Sequence, residues 1–480
     1  MSDDSSLNKS LAAFYDAFTP ADSTKSMRIA AVERSEDLMN FDVAVANALV
    51  VDIEVLKKFF GASPNTRVVP ADGSNITKSL GEMWYSKDSY VVVRVPVGKM
   101  PKTFALYDYL NFVEKNRDKG LFLGVSDDGG RWLSFDNLTH AAIYGSSGYG
   151  KSQFFKMLLA QTIWLHEDVV NLIVDPKQVD FLPYARAAGV GMVVTNAEGW
   201  HELFDRLAIE LSVRQHYFQS AFATPPVKLS EYRTLRDLHG RADLPDFKRI
   251  VVWVDECYVV FGEGNRSFDL RMSHNYEAIL RRGRALGIHL MVATQRCAVS
   301  ELPRTSLFST IMALPMPGAA EGQIDWVSTK VGRVLRMSAP IPGRLVCEIG
   351  GQDSVFACQT PLVSSEEAVG LAMLRNQEVK ATNPFTRLPF EDNPEFIKER
   401  DHVAKRICRG EDIIAVTKKY FDAEAYKAKS QAQVEPVCIE TIPAEALADQ
   451  AKLALPHLGE REVAAAEEGI DSSQTTKSTV

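Results

Sequence analysis

The chain has 480 residues, 46% of them hydrophobic, which is enough for two or three domains with real cores. No run of about 18 apolar residues occurs, which excludes a transmembrane helix, and the polar, acidic opening Met1-Ser2-Asp3-Asp4 is no secretory signal. The net charge of −8 gathers at one end: Glu435 to Val480 holds nine acidic and three basic residues, a net of −6, so the remainder stands near −2 and neither favours nor excludes a polyanionic partner. Six cysteines (257, 297, 347, 358, 408 and 438) are scattered without a C-x-x-C pair. They read as reduced, mostly buried thiols of a cytoplasmic protein, not as a disulfide frame or a zinc site.

Residues 1–40 are polar with one helical-looking patch, Leu7–Phe18, and read as a flexible or helical arm. Residues 41–120 form a small α/β module: helical spacing over Val43–Phe60, a strand at Ser89–Pro96, and an amphipathic helix over Thr103–Lys115. Leu121 to Val125, the turn from Asp127 to Gly130, and Trp132 to Phe135 then read as a hairpin. Residues 121–365 alternate apolar runs with helical segments. Strands are expected at Ala141–Tyr144, Val170–Val174, Gly191–Val194, Arg249–Val254, His289–Ala293 and Ser309–Leu314, with helices at Phe154–Trp164, Glu198–Gln219 and Asn275–Leu286. Such alternation predicts an α/β fold, a mainly parallel sheet with helices on both faces. Ala221–Pro245 reads as a connecting lobe. Residues 366–431 form a helical segment, with helices at Glu366–Arg375 and within Pro394–Phe421, and residues 432–480 an acidic, disordered tail.

The chemistry concentrates after the first strand of that core. Gly145, Ser146, Ser147, Gly148, Tyr149, Gly150, Lys151 and Ser152 spell G-x-x-x-x-G-K-S between a strand and a helix start, the setting of a phosphate-binding loop. Glycines let backbone N–H groups converge on phosphate oxygens, and the helix N-terminus favours negative charge. Lys151 would reach the β- and γ-phosphates of ATP, and the Ser152 hydroxyl would help hold Mg²⁺. About a hundred residues on, the apolar run Ile250–Val254 delivers Asp255 and Glu256 at the end of a strand, where open α/β sheets bind ligands. Asp255 would orient Mg²⁺ and Glu256 polarise the attacking water, which points to hydrolysis. A third strand end presents Gln295, placed to sense the γ-phosphate or the lytic water. Asp175-Pro176-Lys177 closes another strand, where Lys177 reads equally as a phosphate contact or a solvated lysine. Arg281, Arg282 and Arg284 end a helix, where cations are welcome for structural reasons alone.

These residues resemble the FtsK/SpoIIIE family of DNA translocases within the HerA–FtsK group of P-loop motors. The matching pieces fall in order: Thr139 to Ser152, Ile173 to Lys177, Val252 to Glu256, Arg282 to Arg296, Pro342-Gly343-Arg344, and Phe356 to Gln359. Tyr90 to Gly98 resembles the lobe that precedes the motor. The resemblance covers roughly residues 85–360 and implies a RecA-like ATPase that uses ATP and Mg²⁺ and forms a homohexamer around double-stranded DNA. Pore contacts would be non-specific and to phosphate, with Arg266, Arg271, Lys330 and Arg333 as basic candidates in loops. Several family features are missing: the membrane-spanning region, an evident winged helix, and the arginine expected before the strand within Leu307–Pro315. Arg282, Arg284 or Arg344 would then serve as the arginine acting in trans. The resemblance thus implies a cytoplasmic motor for transfer or mobilisation of a plasmid, integrative element or phage, with a possible membrane or transfer-apparatus partner. The alternative is a coupling or secretion ATPase delivering substrates to a membrane channel.

Overall fold

The computed structural model describes residues 100–420, apart from 128, 263, 264, 266, 267, 296, 297, 299, 318–321, 351–354 and 375–384, together with four strands ahead of them. Those four, β1 (Arg28–Arg34), β2 (Asn40–Ala46), β3 (Arg67–Pro70) and β4 (Tyr90–Pro96), make an antiparallel sheet in the order β1-β2-β4-β3. Two expectations change here. The segment read as an arm contains β1, and the start of the supposed Val43–Phe60 helix is β2, because Phe41, Val43 and Val45 alternate with the residues between them at period two. The Leu7–Phe18 patch and the acidic tail lie outside the described residues.

A second sheet has ten strands: β5 (Leu121–Ser126), β6 (Gly129–Leu133), β7 (Ala141–Tyr144), β8 (Val169–Val174), β9 (Val190–Val194), β10 (Arg249–Val254), β11 (Ile288–Thr294), β12 (Thr310–Ala313), β13 (Arg344–Glu348) and β14 (Val355–Gln359). Their order is β6-β5-β14-β13-β12-β7-β11-β10-β8-β9. This is the helix-flanked α/β sheet that the alternating pattern predicts. The described residues divide into two compact units that interleave along the chain, one within Met1–Leu158, Val254–Arg266 and His289–Val363, the other within Leu159–Trp253, Ser267–Ile288 and Ser364–Val480.

In the first unit β7 runs parallel to both β11 and β12, with Tyr144 level with Thr294 on one side and Ala313 on the other. Every residue of β7, β11 and β12 is buried, so these strands read as continuous apolar runs with no alternation. His289 interrupts β11 and is satisfied, one ring nitrogen lying 2.9 Å from the Thr139 carbonyl oxygen. Beyond β12 the sheet turns antiparallel through β13, β14, β5 and β6. Neither β13 nor β14 stands out as a strand from its sequence: each is five residues long, and their pairing depends on the free edge that β12 presents. The helix Thr329–Met337, also not foreseen, carries Val331 and Leu335 on its buried face, and its N-cap Ser328 accepts from the Val331 amide.

In the second unit the helix Ala197–Ser220 packs against the helices Leu270–Leu286 and Pro394–Cys408. The helix expected to begin at Asn275 starts at Leu270 because the Asp269 side chain accepts from the Met272 amide and caps it. The segment read as a connecting lobe holds the helix Leu229–Leu238, whose Tyr232 stacks on Phe218 at 4.9 Å. Among the described residues no helix is long and apolar enough to cross a membrane.

A buried ion pair ties this unit together. Arg214 and Glu210 are both at most 2% exposed, with Nε 2.8 Å from Oε1. Arg214 also donates to the carbonyls of Leu286 and Lys248, and Glu210 accepts from the Thr386 amide and hydroxyl. Removing one partner leaves the other charge buried and uncompensated. Arg214→Met is therefore expected to destabilise the protein by about 3–5 kcal/mol in urea unfolding. An unshifted midpoint would show that the pair carries no such role.

Candidate active site

The phosphate loop emerges from the centre of the first unit's strands and is held from several sides. The Gly145 amide donates to the Thr294 carbonyl at 3.3 Å and the Ser146 amide to the Pro315 carbonyl at 3.3 Å, so the end of β11 and the segment just after β12 grip its first two residues. The Tyr149 carbonyl accepts from the Gly343 amide at 3.0 Å, which brings Pro342-Gly343-Arg344 against the far side of the loop. Gly148 and Gly150 adopt left-handed backbone with φ of 84° and 92°, and a side chain at Gly148 would meet nothing within 4 Å. The requirement for glycine at 148 is thus conformational and not one of space. The helix Lys151–Leu165 begins at the lysine itself, earlier than its apolar run suggests, and the N–H groups of its first turn have no acceptors within the helix.

Across from the loop, β10 ends at Val254 and hands on two carboxylates. Asp255 is buried, and Glu256 sits at φ 49°, ψ 56°, a left-handed conformation that costs a non-glycine residue about 1–3 kcal/mol. The Lys151 ammonium is 3.4 Å from Asp255 Oδ1 and 3.5 Å from Glu256 Oε2. The Gln295 side-chain amide donates to the same Glu256 oxygen at 3.3 Å. Four residues expected to act together, Lys151, Asp255, Glu256 and Gln295, therefore meet within one unit. The donor set suits a triphosphate with Mg²⁺. Ser152 and Asp255 offer hard oxygens, and among the described residues no cluster of three metal-ligating side chains exists to hold an ion alone. An ion here would share its coordination with phosphate.

The arginines are placed differently. Arg344 opens β13 in the first unit and donates to Gln359 Oε1 and to the Pro101 carbonyl, both at 3.1 Å. Arg282 and Arg284 belong to the second unit, on the helix Leu270–Leu286. Arg282 donates to Gln215 Oε1 at 3.1 Å, and Arg284 is exposed in the last turn. Asp175 is also in the second unit, where its carboxylate accepts from the amides of Gln178 and Phe181 and so closes the turn after β8, with Lys177 exposed beside it. Arg271 lies in a helix, not a loop, and is engaged by Asp401, Asp205 and His201. Lys330 and Arg333 likewise lie on a helix, Thr329–Met337, on an exposed face with Met337 (83% exposed) and, in the preceding turn, Trp326 (85% exposed). Arg266 and Arg296 are outside the described residues.

Sequence reasoning overlooked the layer beneath these groups. Thr294 donates to the Glu301 carboxylate at 2.9 Å in buried surroundings, and the Cys257 thiol lies 3.9 Å from the Glu301 carbonyl oxygen. Burial pushes the Cys257 thiol far above its usual range, so it stays protonated and able to donate. A threonine at a strand end and a glutamate in the following turn carry no sequence signal of their meeting.

No protein-family model matches the chain. It is 30% identical over 173 residues to the ESX-1 secretion system protein EccCa1 of Mycobacterium tuberculosis, covering 32% of this chain and 22% of that protein. It is 25% identical over 170 residues to DNA translocase FtsK of Staphylococcus epidermidis, covering 35% and 21% respectively. It is 24% identical over 196 residues to DNA translocase SftA of Bacillus subtilis, covering 40% and 19%. The chain thus spans about a fifth of the length of these relatives. With the loop, the paired carboxylates and the Gln295 strand end assembled on one sheet, the matched part of this chain is similar to the P-loop ATPase core of the FtsK/SpoIIIE-type DNA translocases.

Proposed function

We propose that this chain hydrolyses ATP to move double-stranded DNA. The observation that carries the reading is the meeting of Lys151, Asp255, Glu256 and Gln295 beside the phosphate loop. Loop amides and the first turn of the helix Lys151–Leu165 bind the β- and γ-phosphates, and Lys151 leaves its two carboxylates to join them. Ser152 and Asp255 would hold Mg²⁺, which would supply charge neutralisation at the transferred phosphoryl group. Glu256, released from Lys151, takes the proton of the attacking water, while Gln295 follows the loss of phosphate and passes it to the residues after β11. Arg282, Arg284 or Arg344 of a neighbouring copy completes the site in a homohexamer.

DNA as cargo is supported by the relatives named as DNA translocases and by the helix Thr329–Met337, which carries Lys330, Arg333 and Arg336, of which Arg336 pairs with Asp325 at 2.8 Å and Lys330 lies 3.9 Å from Glu348. These cations suit a regular row of phosphates and need no base readout. The setting that fits is a cytoplasmic motor for transfer or mobilisation of a plasmid, integrative element or phage, with the acidic tail available to a membrane or transfer-apparatus partner. A second reading, a coupling or secretion ATPase serving a membrane channel, is favoured by the similarity to a secretion-system protein.

Glu256→Gln is expected to lower the rate of phosphate release by about 100-fold or more while nucleotide still binds. A wild-type rate in that variant would remove Glu256 from the chemistry. Lys330→Glu with Arg333→Glu is expected to weaken duplex binding and to make it less sensitive to salt, the log–log slope flattening by about 0.9 for each DNA phosphate that is no longer neutralised. Should long duplex DNA leave the wild-type hydrolysis rate unchanged, the DNA reading yields to the secretion reading.

A further inference from the structure

The residues that touch phosphate and water in the proposed reaction sit on two strand ends, β10 and β11, and something must keep those ends in register. Thr294 is the last residue of β11, fully buried, and Gln295 follows it directly. Its backbone carbonyl accepts from the Gly145 amide, and its hydroxyl donates to Glu301 Oε2 at 2.9 Å. Glu301 is buried in the turn after β11, where its amide and that of Leu302 both donate to the Ala298 carbonyl. The Glu301 carbonyl oxygen faces the thiol of Cys257, the residue right after Glu256 and the first of the helix Cys257–Phe261. One glutamate therefore joins the strand end before Gln295 to the turn after Glu256. That turn is where a join is needed, because the left-handed backbone of Glu256 is costly and persists only if its surroundings hold it.

We infer that Glu301 is a positioning residue for hydrolysis: through the Thr294 hydroxyl and the Cys257 thiol it holds Gln295 and Glu256 at the separation the reaction needs. It touches neither phosphate nor water itself. A misplacement of about 1 Å at such a site is enough to cost roughly a hundredfold in rate. This inference rests on the proposed hydrolysis, and its test separates the two.

The test compares wild type, Glu301→Ala, Glu301→Gln and Thr294→Val as full-length proteins. Glu301→Ala and Thr294→Val are expected to lower kcat for ATP hydrolysis about 10- to 100-fold, with KM and the affinity for a fluorescent ATP analogue changed less than about twofold. Glu301→Gln, which keeps an acceptor for the Thr294 hydroxyl, is expected to recover most of the rate. The nucleotide-free proteins supply an independent readout. Amide exchange at Val259 and Gly262, which donate to the carbonyls of Glu256 and Tyr258, should quicken about tenfold in Glu301→Ala and stay unchanged over β8. If Glu301→Ala fails to fold, Thr294→Val decides, since it removes the same hydrogen bond at almost constant volume. Full kcat in Thr294→Val, or exchange that quickens everywhere at once, overturns the inference and leaves hydrolysis standing. A wild type with no hydrolysis overturns both.

Discussion

A lysine ammonium enclosed by two carboxylates sets the terms for everything else in the first unit. Lys151, Asp255 and Glu256 are withdrawn from water to different degrees, with 5%, 1% and 12% of their side chains exposed. Each such charge costs several kcal/mol to desolvate, and the attraction within the trio offsets that cost only while the geometry holds. The trio carries one negative charge more than positive. In the proposed reaction a polyphosphate accompanied by a divalent ion would change that balance, since the ammonium would follow the phosphate and the Asp255 carboxylate would turn to the ion. The same three side chains thus make a stable resting arrangement and a receptive one.

The sheet supplies the rigidity that this arrangement demands. β7 lies between β11 and β12, and the first amides of the phosphate loop donate to Thr294 at the end of β11 and to Pro315 just after β12. Gly343 closes the loop from the other side, and a β-carbon there would lie 2.7 Å from Gln359 Nε2 and 2.8 Å from Thr360 Oγ1. Pro342-Gly343-Arg344 accordingly has a structural reason to exist within its own chain: glycine for close approach, and an arginine that spans β13, β14 and Pro101. In this chain the guanidinium is already engaged, so service to a neighbouring copy would require it to exchange Gln359 and the Pro101 carbonyl for phosphate.

Much of the core and most of the site were legible in the residues. Strands buried on both faces announce themselves as unbroken apolar runs, which is why Ala141–Tyr144 and Arg249–Val254 have the same limits in sequence and structure. Elements whose stability comes from neighbours were not legible. β13 and β14 exist because β12 leaves an edge to pair with, and β1 and β2 because they pair with each other and β2 also with β4. Arg271 shows the reverse case. Read as a basic candidate in a loop, it lies on a helix and is engaged by Asp401, Asp205 and His201, groups that the linear pattern cannot display.

By itself the sequence determined the local chemistry: a glycine-rich turn before a helix, two acids after an apolar strand, a glutamine after another. These follow from backbone freedom, periodicity and chain direction, all of which are properties of neighbouring residues. Only the tertiary structure decided that Lys151 meets both acids at about 3.4–3.5 Å, that Gln295 touches Glu256, and that Glu301 stands beneath them. It also decided that Arg282 and Arg284 belong to a different unit from that site. Side chains dozens to a hundred residues apart come within hydrogen-bonding reach only through the order and register of strands, which are fixed by packing the whole sheet at once and by no single stretch of it.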